Sequence, residues 1–282
     1  MFTTIIQSAD FSALLDLLAP HTPGALHAPG APQCRIFDCR ARLGDEEWGL
    51  KQYLEGHIAG AQHLDLDQDL ANPPGIRGRH PLPDRERLAN TLAVKGLNAC
   101  DQVVVYDDVG GAIAARAWWC LRWLGHEGVA VLDGGLPMWK GPLTSGAEIA
   151  SPGDFACQPA LTKQIDAKDL NRALGSFHLI DARSQLRFDG VEEPIDKVAG
   201  HIPGAVCCPF QNNLEKNGRF KSAKELALNF PEMNRLCVAY CGSGVTAAHN
   251  ILAMRIAGLE EPALYPGSWS EWIENADRPR EP

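Results

Sequence analysis

The chain has 282 residues, of which 45% are hydrophobic and 22% charged, a composition ordinary for a globular protein and a length beyond one typical core. Its net charge of −9, with no basic stripe to neutralise phosphates, excludes a general nucleic-acid binder. No run approaches the roughly 18 apolar residues of a membrane span, so no membrane partner is expected.

The opening Met1–Ile6 has no basic segment and no apolar core of export length, and the nine cysteines form no C-x-x-C pair and no Cys/His group with zinc spacing. Free thiols in a reducing, cytoplasmic setting are the simplest reading, with no metal and no cofactor implied.

In chain order, residues 9–20 read as a short helix (Leu14, Leu15, Leu17, Leu18) stopped by Pro20, with a Pro/Gly/His loop over 20–33. Arg35-Ile36-Phe37-Asp38-Cys39-Arg40 reads as a strand ending in an Asp-x-Arg turn, followed by the motif Gly56-His57-Ile58-Ala59-Gly60-Ala61. A basic, proline-bearing loop runs from Gly75 to Pro83 and a helix from about 84 to 95. Gln102–Tyr106 is a strand, then comes a helix through Leu124 closed by Gly125, and Val129–Leu132 is a further buried strand. The stretch 141–159 is rich in Gly, Pro, Ser and Ala without periodicity and reads as a linker.

The second half repeats this order. Asp181-Ala182-Arg183 answers Asp38-Cys39-Arg40, Gly200-His201-Ile202-Pro203-Gly204-Ala205 answers the first Gly-His-Ile motif, Tyr240-Cys241 answers Tyr106-Asp107, and Trp272 answers Trp139. Landmarks recurring in one order indicate a duplicated domain. The expected fold is α/β: two tandem domains, 1–140 and 160–282, each a mostly parallel sheet flanked by helices. Ligands of such sheets bind at the carboxyl ends of the strands.

One such end carries Val238-Ala239-Tyr240-Cys241-Gly242-Ser243-Gly244-Val245-Thr246, a strand, a glycine turn and the start of a helix. Backbone N–H groups of such a turn and the positive end of the helix both face the sulfur. Helix N-termini can bring a cysteine pKa down to roughly 3.5–7.5, so a readily ionised thiol is expected there. The alternative is a buried structural cysteine, but Asp107 fills the same place in the first half, so the architecture does not demand a thiol. A cysteine phosphatase loop would need an Arg six residues on, where Ala247 stands, and a P-loop would need Gly-Lys-Ser/Thr after the glycines.

These residues resemble the tandem-domain rhodanese sulfurtransferases over nearly the whole chain. The loop Cys241-Gly242-Ser243-Gly244-Val245-Thr246 is similar to the 3-mercaptopyruvate branch, whereas thiosulfate-preferring members carry Arg and Lys where Gly242 and Ser243 stand. The tail Gly267-Ser268-Trp269-Ser270-Glu271-Trp272 also resembles the family, with Pro266 where an Asp is usual. The resemblance implies sulfur transfer from 3-mercaptopyruvate through a Cys241 persulfide to a thiol acceptor such as thioredoxin, or to cyanide. Thiosulfate as donor is the alternative, and a non-enzymatic rhodanese-like binding module is a further one. It implies substrate contacts from Arg187, Gly242, Gly244, Val245 and Thr246, with Thr246 equally able to cap the helix.

The resemblance also implies catalysis by Cys241 with Ser243 and His57, and with Asp45 or Glu46 as the acid. His57 has a twin in His201, so a ring nitrogen bonded to backbone is an equal reading. Arg183, whose twin is Arg40, reads as structural. The branch's second arginine after a Glu-Pro is replaced: Glu193-Pro194 is followed by Ile195, Asp196 and Lys197. Either Lys197 stands in for it or the donor preference differs. Arg77-Gly78-Arg79-His80 either lines a cleft between the two halves or is a solvated loop, and a monomer suffices for one such cleft.

Overall fold

The computed structural model describes residues 1–18, 32–232 and 235–282. The chain divides into two units, 1–69 with 84–161 and 70–83 with 162–282. The segment 70–83 thus belongs to the second unit although the first half of the sequence carries it.

In the first unit the strands are β1 (Ile5–Ile6), β2 (Cys34–Asp38), β3 (His57–Ile58), β4 (Ala61–His63), β5 (Gln102–Tyr106), β6 (Val129–Leu132) and β7 (Leu143–Thr144). Five of them form a sheet of order β1-β6-β5-β2-β4, every pair parallel, while β3 and β7 make a small antiparallel ladder. β5 and β6 are buried along their whole length, as a sheet covered on both faces requires. Ile6, Phe11, Ile36, Val104 and Trp139 share one core, and the helix Ser8–Leu18 packs Phe11 into it. The stop at Pro20 and the loop from 20 to 31 lie outside the described residues. The stretch 141–159 runs over the first unit: Leu143–Thr144 pairs with His57–Ile58, and Gly153 donates to the Ala93 carbonyl at 2.8 Å. A side chain at Gly153 would meet Leu97 O at 2.0 Å, so only glycine allows that approach.

In the second unit β8 (His178–Asp181), β9 (Ala205–Cys207), β10 (Cys237–Tyr240) and β11 (Ala263–Leu264) form a parallel sheet of order β11-β10-β8-β9. Leu179, Ile202, Val238, Tyr265 and Trp272 build its core. Both units are therefore α/β with parallel sheets flanked by helices, as the repeat predicts.

The repeated motifs have one physical job in both units. Arg40 grips Asp38 through Nε and Nη2 and reaches the Gly56 carbonyl at 2.7 Å; Arg183 does the same with Asp181 and the Gly200 carbonyl, also at 2.7 Å. Each Asp-x-Arg pair thereby ties a strand end to the Gly-His-Ile turn. Tyr106 and Tyr240 extend the tie, their hydroxyls accepting the N–H of Ile58 and Ile202.

Candidate active site

Cys241 follows the last residue of β10, and the helix Thr246–Ile256 begins five residues later. That helix is buried on nearly every side, from Ala247 to Met254, so its N-terminus is rigidly placed. Cys241 is 2% exposed, and Gly244 N–H donates to its Sγ at 3.1 Å. The turn depends on Gly244: φ is +76°, and a Cβ there would lie 2.3 Å from Pro266 O. Val245, not Thr246, is the N-cap, with no side-chain cap hydrogen bond, which removes the capping alternative for Thr246.

The turn after β11 clamps the same loop from outside. Ser268, with a φ of +53°, donates its hydroxyl to Tyr265 O at 2.9 Å and accepts Cys241 N–H at 3.1 Å. Trp269 N–H binds Cys241 O and Ser270 N–H binds Gly242 O, at 3.0 and 2.9 Å. The Pro266 carbonyl closes against Gly244 where the family pattern has an Asp, and Ser268 supplies the side-chain bonds of the turn.

The first unit shows what this loop geometry attracts. At the position of Cys241, the buried Asp107 carboxylate accepts four backbone N–H groups, from Val109, Gly111, Ile113 and Ala114, at 2.8 to 3.0 Å. The strand–turn–helix is an anion cradle, and there the chain's own aspartate fills it.

The segment 70–83 brings two side chains of the basic loop Arg77-Gly78-Arg79-His80 to the Cys241 loop. His80 Nδ1 lies 2.7 Å from Ser243 Oγ, both residues being 6% exposed. Arg79 N–H donates to Ser270 Oγ at 3.1 Å, and its guanidinium pairs with Asp196. The Cβ direction of Gly242 points at two guanidiniums, Arg79 Nη2 at 2.8 Å and both Nη atoms of Arg187 at 3.4 Å. Arg187, in the short helix Gln185–Phe188, is fixed by Glu193 through Nε and Nη2 and reaches Asp196 at 2.9 Å. Burial works to raise the Glu193 carboxyl, but Arg187 and the N–H groups of Asp196 and Ile195 hold it below its usual range. Burial raises Asp196 against the pull of Arg79.

Two expectations change here. The imidazole bonded to Ser243 is His80, whereas His57, in the first unit, is fully buried, stacked on Tyr53, with Nδ1 on the Tyr53 carbonyl at 2.7 Å. His201 does likewise with Phe188, at 2.9 Å and stacked, so the twin histidines bond backbone in the same way. Asp45 and Glu46 are exposed residues of a turn in the first unit. Lys197 does not stand in for a second arginine: it is 79% exposed and paired with Glu274, while Arg79 supplies the second guanidinium. The signal for His80 and Arg79 was the basic loop Arg77-Gly78-Arg79-His80 itself.

Among the described residues no group of His, Cys, Asp and Glu could hold a metal ion, and no helix is long and apolar enough to cross a membrane.

The profile described as "Rhodanese-like domain" matches residues 22–142 and 164–275, one match in each half of the sequence. The chain belongs to the rhodanese family. It is 50% identical over 261 residues to a Pseudomonas aeruginosa protein named "Probable 3-mercaptopyruvate sulfurtransferase", covering 88% of this chain and 92% of that one. It is 37% identical over 275 residues to the human 3-mercaptopyruvate sulfurtransferase, covering 89% of each. The crystal structure of SseA from Escherichia coli, a 3-mercaptopyruvate sulfotransferase in its description, superposes with a TM-score of 0.78 at 30% identity, covering 96% of this chain and all of that one. This family member is a sulfurtransferase enzyme, passing a sulfane sulfur through a cysteine persulfide.

Proposed function

We propose that the enzyme takes its sulfur from 3-mercaptopyruvate onto Cys241 and delivers it to a thiol such as that of thioredoxin, or to cyanide. The observation that carries this reading is the buried Cys241 Sγ receiving Gly244 N–H, beside a Ser243–His80 hydrogen bond and under two guanidiniums.

The Cys241 thiolate attacks the donor's thiol sulfur, the donor C–S bond breaks, and its electron pair leaves as the enolate of pyruvate. The proton on the donor sulfur moves to the enolate carbon, leaving Cys241 persulfide and pyruvate. The Ser243–His80 pair is the relay for that proton, the tautomer of His80 deciding which ring nitrogen carries it. The loop N–H groups, which in the first unit hold the Asp107 carboxylate, here hold the negative outer sulfur. Arg187 and Arg79 hold the donor carboxylate. An acceptor thiolate then attacks the outer sulfur, the S–S bond breaks, and Cys241 leaves as thiolate; cyanide in the same role gives thiocyanate.

Thiosulfate is the second reading, because two guanidiniums over Gly242 would also hold a sulfonate group. Steady-state kinetics with both donors and cyanide separate them. A higher kcat/KM for 3-mercaptopyruvate is expected; a higher value for thiosulfate would overturn the donor assignment.

A further inference from the structure

We infer that Asp196 is a specificity-determining residue: its carboxylate occupies the two-guanidinium site meant for the donor carboxylate and competes with it. The inference rests on the donor reading above.

Arg79 and Arg187 come from different segments, and both face the Cβ direction of Gly242, the residue after Cys241. Asp196 spans them, giving Oδ1 to Arg79 Nη1 and Oδ2 to Arg187 Nη2. One oxygen to each guanidinium is also how a 2-keto acid's carboxylate would be held. Glu193 is placed differently. It lies along one edge of Arg187, accepts the N–H groups of Ile195 and Asp196, and is touched by Arg183 Nη1 at 3.3 Å. It is a fixed buttress, whereas the Asp196 side chain bonds the two arginines.

Charge balance makes the competition unavoidable. Two guanidiniums face two carboxylates, so a donor carboxylate brings an uncompensated charge unless one of them gives way. Asp196 is the one suited to leave. Its carboxyl is raised by burial while that of Glu193 is held low. It also lines a cavity of about 530 Å³ with Ile76, Ile195, Lys197 and Ser270.

The test is steady-state kinetics of the full-length enzyme with 3-mercaptopyruvate and cyanide, plus product inhibition by pyruvate. Asp196→Asn keeps the shape and removes the charge. KM and the pyruvate inhibition constant are expected to fall by about threefold to tenfold, with kcat moving less, because a charged competitor for a charge-assisted bond is gone. Arg79→Ala is expected to raise both by about tenfold or more, and in that background Asp196→Asn should have a smaller effect. Asp196→Ser, a second uncharged variant, is expected to move KM in the same direction if the asparagine form does not fold. If Asp196 merely anchors the arginines, its loss will raise KM as Arg79→Ala does, and that result, or no change, overturns the inference. A wild-type enzyme idle with 3-mercaptopyruvate but active with thiosulfate would instead sink the donor reading. The same variants assayed with thiosulfate then decide the role of Asp196: a lower KM supports the competitor and an unchanged one refutes it.

Discussion

His80 Nδ1 lies 2.7 Å from Ser243 Oγ, joining two residues 163 positions apart in the sequence. The bond sits one residue from Gly244, whose N–H binds the Cys241 sulfur. General acid–base groups contribute about 10²- to 10⁴-fold. His80→Gln is therefore expected to lower kcat/KM for 3-mercaptopyruvate by that order. His57→Asn is expected to act on stability instead, costing about 1–3 kcal/mol through the lost bond to the Tyr53 carbonyl. Denaturation curves and kinetics on both variants check this; a collapse of kcat in folded His57→Asn with His80→Gln intact would reverse the assignment.

Gly244 combines a φ of +76° with a carbonyl 2.3 Å from where a Cβ would stand. A left-handed conformation alone costs a side chain about 1–2 kcal/mol, and here the obstacle is backbone that cannot swing aside. Gly244→Ala is expected to lose most activity and to lower the melting temperature. Gly242→Ala meets the movable end of Arg79 instead, so it should fold normally and weaken donor binding, seen as a raised KM.

In the first unit, Asp107 satisfies four buried N–H groups at a helix start. Asp107→Ala strips them of partners and is expected to cost about 2–4 kcal/mol. Chemical denaturation followed by far-UV circular dichroism measures it, and a loss under about 0.5 kcal/mol, the ordinary surface-substitution range, would show the cradle to be dispensable.

Burial pushes the thiols of Cys34, Cys207, Cys208 and Cys237 up to about 12, so near pH 8 they stay protonated. Native-state alkylation at that pH is expected to leave these four far behind the exposed Cys100, and unfolding should remove the difference. Labelling of any of the four as fast as Cys100 would contradict it.

The repeat makes much of this legible in the sequence. Asp38-Cys39-Arg40 and Asp181-Ala182-Arg183, the paired Gly-His-Ile motifs and the cysteine loop each sit on strand ends, where local sequence dictates local geometry. The same repetition underlies the backbone-bonded reading of His57. A motif present in both halves serves the fold of both, and the two rings bond backbone carbonyls in the same way. His80 and Arg79 were hidden for the opposite reason. They lie on a basic loop indistinguishable in pattern from a solvated one, and they meet Asp196 and Ser243 across 117 and 163 positions of sequence, contacts that no local signal encodes. The replacement of a second arginine by Ile195 and Asp196 was visible, but that Asp196 bridges Arg79 and Arg187 was not.

The central claim is that Cys241 carries the transferred sulfur. Mass spectrometry of the intact protein and its peptides, after 3-mercaptopyruvate treatment without acceptor, tests it most directly. The expected result is a gain of about 32 Da, one persulfide sulfur, on the peptide holding Cys241, lost on adding cyanide and absent from Cys241→Ser. The same gain on any other of the nine cysteines, or its persistence in Cys241→Ser, would contradict it.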